Sequence, residues 1–320
     1  FYSIIFLLYS RVKRKLDFKA GSLFFITFWI AFEKFHLNWE FSWPWLNLGN
    51  VFSERINWIQ WYEYTGVFGG SLWILCSNFL LFNLIRSFSN FKDKRRFYIR
   101  IIPRIFLICT PIFISLLIKP KIEKGEEFDV LITQPKIDPW DSKYGISKNN
   151  LDYFKIFKDL TYTELANKEY DFVIAPETYF SEGYGENVDY FKFTKLHDSL
   201  YSYFNQFENT NLISGIQFYK LYQNQKEKPT KSANLVRDDI WVDYFNSSIN
   251  FSANKDFDYN HKVKLVVGSE YMPLKSILEP IIGTVMIDLG GTIRSLGTQH
   301  DSERKIFKHS EKDLKTIPIV

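Results

Sequence analysis

The sequence predicts an α-helical transmembrane segment over residues 1–120 followed by an α/β domain over residues 121–320. Three observations carry that division. Long, Phe-rich apolar runs are confined to the part before about residue 120, and later apolar residues come in short, strand-like bursts. Lys and Arg collect between the apolar runs, in stretches 11–19 and 86–100. Beyond residue 121, strand-like and helix-like patterns alternate before a run of strands, which is the order of a layered α/β domain. A chain of 320 residues suits two domains.

Composition excludes some functions. The net charge of +4 is mild, and no basic face interleaved with exposed aromatics occurs in the second half, so nucleic-acid binding is not indicated. The two cysteines, Cys76 and Cys109, lie in apolar runs without metal-ligand spacing and read as small packing hydrophobes. The chain opens on Phe1 inside an apolar run with no signal peptide visible, and reads as a fragment cut at its N-terminus.

In the first part, Phe1 to Ser10 reads as the end of a spanning helix, closed by the basic run Arg11 to Lys15. The run from Gly21 to about Phe35 is short for a span of ~20 residues unless it begins near Leu16. Gly66 to Ile85 is a good span, and Gly69-Gly70 would allow close helix packing. Ile101 to Ile118 is the last span, with kinks expected at Pro103 and Pro111. By the positive-inside rule the two basic stretches are cytoplasmic, which puts the loop 36–65 and the whole α/β domain on the opposite side. Glu33, at the end of an apolar run, reads as structurally paired or snorkelling. The loop holding Trp39, Trp43 and Trp45 is denser in Trp than interface anchoring needs, and suggests the wall of a lipid-access groove.

In the second part, Phe128 to Pro135 reads as a strand and Leu151 to about Lys168 as a helix. Phe172-Val-Ile-Ala175 is a buried strand stopped by Pro176, directly followed by Glu177. A carboxylate at a strand end is either a solvated acid that caps the strand or one held rigidly and partly desolvated, conditions that suit proton transfer. A polar loop with Gly183 and Gly185 follows, then a helix from about Asp189 to Phe207. Asn211 to Phe218, Ser232 to Arg237 and Tyr244 to Asn250 read as strands, with Tyr222 to Lys231 a loop. The segment Tyr259-Asn-His-Lys262-Val-Lys264-Leu-Val-Val-Gly-Ser-Glu270-Tyr-Met-Pro273 joins cations, an apolar run and an acid. A lysine beside a buried strand can face a developing oxyanion, although most such lysines are surface groups. His261 reads as a surface or packing histidine.

Taken in order, the Glu33 helix, the Trp-Pro-Trp-Leu-Asn-Leu-Gly-Asn loop, Gly-Val-Phe-Gly-Gly-Ser, the Gln134/Trp140 loop, Pro-Glu-Thr, Phe-Asn-Ser and Lys-x-x-Leu-Val-x-x-x-Glu-Tyr-x-Pro resemble the apolipoprotein N-acyltransferase family. That family joins a membrane part to an αββα nitrilase-like (carbon–nitrogen hydrolase) domain. The resemblance implies Glu177 as general base, Lys262 as catalytic lysine, and Glu270, Asn246 and Trp140 as supporting active-site residues. Lys262 is preferred to Lys264 because it stands three residues before Leu265-Val266. The implied partners are a phospholipid acyl donor, a diacylated lipoprotein acceptor and the bacterial inner membrane, with the α/β domain periplasmic and no metal or organic cofactor. Leu265-Val-Val-Gly-Ser-Glu270 departs from the family's usual Leu-Val-Pro-Phe-Gly-Glu. The family's nucleophilic cysteine follows a late strand that corresponds here to Asp313–Val320, so the chain reads as truncated before the nucleophile and inactive as it stands. A membrane-tethered amidase that uses water as acceptor would share Glu177 and Lys262 but need neither the Trp loop nor several spans. A non-catalytic lipid- or lipoprotein-binding protein would carry another residue in place of the cysteine.

Overall fold

The structure, a computed structural model, describes residues 2–88, 94–118, 125, 127–137, 149–282, 295–299 and 305–318. It divides into two units, Phe1–Lys124 and Gly125–Val320.

The first unit is helical. Helix α1 spans Tyr2–Lys15 and α2 spans Phe18–His36, started by Asp17, whose carboxylate accepts from the Ala20 N–H. Helix α3 covers Tyr62–Phe88 and breaks its helical geometry at Gly66, where φ is +64°. Within it, Tyr62–Arg86 is long and apolar enough to cross a membrane. Helix α4 covers Lys94–Leu117, so the basic cluster from Lys94 onward is the first turns of a helix and not a loop. Its apolar stretch Ile101–Leu117 is shorter than a full span.

The segment between α2 and α3 holds three short 3-10 turns, Pro44–Leu46, Leu48–Phe52 and Ile56–Trp58. Glu33 anchors it. The Glu33 side chain is fully buried, and its Oε1 accepts from Trp29 Nε1 at 3.0 Å and from the Leu48 N–H at 2.8 Å. Snorkelling is therefore excluded: the carboxylate points inward and holds the loop. Gly69-Gly70 also serves the loop. A Cβ on Gly70 would stand 3.0 Å from Gly49 Cα, and Gly49 in turn donates to Ser71 Oγ at 3.0 Å.

The second unit is a mixed α/β sheet. Strands β1 (Val130–Ile132), β2 (Phe172–Ile174), β3 (Glu186–Asn187), β4 (Asn211–Gln223), β5 (Asn234–Arg237), β6 (Ile240–Ser252) and β7 (Lys255–His261) form one sheet among the described residues. The path is β1-β2-β4-β6-β5, with β3 added to β4 and β7 to β6. Strands β1, β2 and β4 are parallel; β6 runs antiparallel to β4, β5 and β7.

Alternation along β4 and β6 gives this sheet two chemically distinct faces. Leu212, Ile216 and Phe218 join Phe245, Ile249 and Phe251 in the apolar core, with Tyr153 and Phe157 of α5 (Asn150–Asn167) and Leu196, Leu200 and Phe204 of α6 (Lys195–Phe204). Each large apolar side chain buried there contributes roughly 1.5–3 kcal/mol. The intervening residues of β6, Asn246, Ser248 and Asn250, are polar and buried on the other face.

Several elements differ from the sequence expectations. The helix expected from about Asp189 is a 3-10 turn (Val188–Phe193) followed by α6, because the Thr194 hydroxyl caps a new helix by accepting from the His197 N–H. Strands β4 and β6 each run to 13 residues, since antiparallel pairing from Leu212–Phe251 through Gln223–Ile240 extends β4 into the expected loop. A last helix, α7, spans Lys275–Ile282. The expected late strand is only Lys315–Thr316 (β9), which pairs with Phe307–Lys308 (β8) outside the main sheet. That hairpin is tied to the polar face through Asn250 Nδ2, which donates to the Lys308 carbonyl at 2.9 Å, and through an ion pair between Lys312 and Asp171.

Candidate active site

Strand β2 ends at Ile174, and Pro176 turns the chain so that Glu177 stands at the rim of the sheet. The turn is tight: Thr178 adopts φ +49°. It lies directly on β4, where the Gly215 N–H donates to the Pro176 carbonyl at 3.1 Å and the Phe180 N–H to the Gly215 carbonyl at 3.1 Å. A side chain at 215 would collide with the turn, since its Cβ would stand 2.6 Å from Glu177 Cα. The glycine sits inside the apolar strand pattern Asn211–Phe218, where a lone glycine marks a close backbone approach.

Lys262 follows the last residue of β7, and its N–H donates to the Asn246 carbonyl at 2.8 Å, which keeps it in register beside β6. Its ammonium Nζ lies 3.0 Å from Glu177 Oε1 and 3.0 Å from Glu270 Oε1. Asn246 Nδ2 reaches the same two atoms, at 2.6 and 3.2 Å. Both carboxylates are acceptors only, so they dictate that the Asn246 amide faces them with its NH₂. Glu270 is secured from behind, because its Oε2 accepts from the Val266 N–H at 2.7 Å across a turn with Gly268 at φ +84°. The altered sequence of that turn thus still delivers Glu270 to Lys262.

Burial divides the roles. The Lys262 side chain is 8% exposed, Glu270 16% and Glu177 52%. Lys262 is therefore no surface lysine. Burial by itself lowers its pKa, but the hydrogen bond it donates to Glu177 and the charges of Glu270 and Glu177 outweigh that and raise it above the ordinary lysine value. The ammonium is a permanent charge, while Glu177 is the carboxylate a substrate can reach. A fixed cation beside an accessible carboxylate can hold a developing oxyanion while the carboxylate takes and returns a proton.

The other expected site residues fall elsewhere. Trp140 lies outside the described residues. Trp39, Trp43 and Trp45 belong to the first unit: Trp39 Nε1 donates to His36 Nδ1 at 2.7 Å, and Trp43 meets Trp45 edge-to-face at 5.1 Å, with Trp45 60% exposed. His261 packs on the face of the sheet opposite Lys262, stacked on Phe245 at 4.1 Å between ring centres. Among the described residues no group of His, Cys, Asp and Glu side chains could hold a metal ion.

Residues 1–80 match the family model of the apolipoprotein N-acyltransferase N-terminal domain. A curated relative from Chlorobaculum tepidum, an apolipoprotein N-acyltransferase, is 25% identical over 176 residues, covering 52% of this chain. Over these stretches the chain is similar to apolipoprotein N-acyltransferases. The match spans 31% of the relative's length. The matched N-terminal stretch of the acyltransferase family takes in α1, α2, the Trp loop and most of α3, so the Glu33 anchor lies inside it. The cluster around Lys262 lies after it.

Proposed function

We propose that this chain serves lipoprotein N-acylation, transferring an acyl chain from a phospholipid to the N-terminal amine of a diacylglyceryl-cysteine lipoprotein. The observation that carries the reading is the Lys262 ammonium held 3.0 Å from both Glu177 and Glu270, with only Glu177 open to substrate. The reading adopts a nitrilase-like αββα plan for the second unit, a multi-pass membrane anchor, and a periplasmic α/β domain; the basic stretches around Arg11–Lys15 and Lys94–Arg96 support that orientation.

In this reading Glu177 accepts the proton of a cysteine thiol, which is only slightly ionised at neutral pH. The thiolate attacks the sn-1 ester carbonyl, and Lys262 with neighbouring backbone N–H groups stabilises the oxyanion. The tetrahedral intermediate collapses by breaking the ester C–O bond, and Glu177 returns its proton to the departing lysophospholipid alkoxide. The acyl thioester then meets the acceptor's α-amine, Glu177 takes the amine proton, and the thiolate leaves as the amide forms. Glu270 and Asn246 hold Lys262 and Glu177 in register throughout. Trp39, Trp43 and Trp45 form the lipid-access loop. The attacking thiol is the cysteine that the family pattern places directly after the segment Asp313–Val320; Cys76 and Cys109 lie in α3 and α4.

Reading the coding sequence past Val320 is the first test. A cysteine codon within the next few positions supports the proposal, and serine, glycine, alanine or a stop codon there overturns it. Acyl transfer from labelled phospholipid to a diacylglyceryl-cysteine peptide by that gene product is the second. Glu177→Gln, which keeps an acceptor for Lys262 and Asn246, is expected to reduce the rate by roughly 10²–10⁴-fold. An unchanged rate removes Glu177 as the base.

A further inference from the structure

After His261 the chain leaves β7, and it returns to the cluster with Glu270. Lys262 and Glu270 therefore sit at the two ends of one segment that the strand ladder no longer holds. The strap Leu296–Gln299 holds it instead. At one end the Leu296 N–H donates to the Glu270 carbonyl at 2.8 Å, and at the other the Gln299 N–H donates to the Lys262 carbonyl at 3.4 Å. Between them the Gly297 N–H donates to the Tyr244 carbonyl of β6 at 2.7 Å. Leu296 packs with Val242 and Tyr244, and Leu265 of the held segment lies against the same cluster. A Cβ at Gly297 would stand 2.5 Å from Phe245 Cε1, so the strap lies directly on β6.

The Gln299 side chain adds a contact of a different kind. Lys262 uses its N–H on Asn246, so in the antiparallel alternation the N–H of His261 faces away from β6. Strand β7 pairs only with β6 among the described residues, which leaves that N–H on a free edge. Gln299 Oε1 accepts from it at 2.8 Å, in the place of a neighbouring strand's carbonyl. Gln299 thus grips the backbone on both sides of Lys262, through the His261 N–H before it and the Lys262 carbonyl after it. The His261 ring is fixed as well, stacked on Phe245 at 4.1 Å and 2.6 Å from Ser247 Oγ through Nδ1.

We propose that Gln299 is a positioning residue for Lys262, which with Leu296 on Glu270 sets where the ammonium stands between its two carboxylates. The use of Lys262 on an oxyanion rests on the acyl-transfer reading; the grip of the strap does not. Two measurements on the gene product in detergent micelles test the proposal. In denaturant unfolding, the loss of midpoint caused by Lys262→Met is expected to shrink once Gln299→Met is present, because the lysine is then no longer seated against both carboxylates. Equal losses in the two backgrounds overturn the proposal, whether or not the protein transfers acyl chains. In acyl transfer, Gln299→Met is expected to lower kcat roughly 10–100-fold with KM for phospholipid within about twofold, the cost of misplacing a reacting group by about 1 Å. Gln299→Glu keeps an acceptor for the His261 N–H and is expected to recover most of the rate. Parent kcat in Gln299→Met, or a Gln299→Glu variant as slow as Gln299→Met, overturns the proposal. A parent protein without acyl transfer removes the acyl-transfer reading and leaves the unfolding cycle to decide the role of Gln299. The side chain is only partly buried, and Gln299→Ala takes the place of Gln299→Met in the cycle if the latter does not fold.

Discussion

Gly215 lies immediately beneath Glu177, with the turn Pro176–Thr178 seated on the β4 backbone and only 2.6 Å between Glu177 Cα and the position a Cβ at 215 would occupy. The colliding atoms are backbone, so neither side can yield by a rotamer change. Gly215→Ala is expected to cost about 1–3 kcal/mol through overpacking and to move Glu177 off Lys262. Thermal unfolding and acyl transfer by the gene product check both effects. A variant with the parent melting temperature would show that the turn does not rest on β4.

Lys262 neutralises two carboxylates in a confined space. Lys262→Met leaves Glu177 and Glu270 facing each other without a cation, and is expected to destabilise by about 3–5 kcal/mol. Adding Glu270→Gln removes one of the stranded charges and is expected to restore part of that loss, whereas Glu270→Gln with Lys262 intact should be the milder change. Denaturant midpoints of the three variants measure the coupling. Additive losses would mean that the residues do not act on one another.

His261 predicts an acid-sensitive stability. Its folded pKa of about 4 is below the ordinary histidine value of 6.5, so the unfolded chain binds a proton that the folded chain refuses. The stabilisation is complete above about pH 6.5 and is lost as pH falls toward 4, amounting to about 3 kcal/mol over that window. Denaturant unfolding of the full chain at pH 7.5, 6, 5 and 4 should follow this slope, and His261→Gln should flatten it. An identical slope in the variant would assign the acid sensitivity to other groups.

Glu33 bonds the Trp loop to α2 through the Leu48 N–H. Glu33→Gln keeps an acceptor at that position and is expected to retain the loop; Glu33→Ala removes it and should free the loop. Limited proteolysis between residues 37 and 61, read with tryptophan emission, distinguishes the two variants. Equal protection of Glu33→Ala and the parent would show that the loop is held by other contacts.

Much of the architecture was legible in local pattern. The apolar run Phe172–Ile174 became a central strand, and of the helically spaced Phe154, Phe157, Leu160 and Leu165 the second and fourth are buried on α5, whereas Leu160 is 45% exposed and Tyr153 completes the buried stripe. Boundaries failed where a single side chain or a distant strand decided them. Thr194 split one expected helix by capping a second, and pairing with β6 drew β4 on to Gln223. Glu33 illustrates a different limit: its position near the end of an apolar run said nothing about the Leu48 N–H it would meet.

The site shows the same division. By itself the sequence determined the residue types and their local settings, an acid after a Pro-stopped strand and a lysine and an acid flanking a short apolar run, because those depend on neighbours along the chain. Only the tertiary structure decided that Glu177, Asn246, Lys262 and Glu270 meet within hydrogen-bond distance. That meeting depends on β4 lying between β2 and β6, on Asn246 receiving the Lys262 N–H, and on a glycine at 215 that lets a turn sit against a strand.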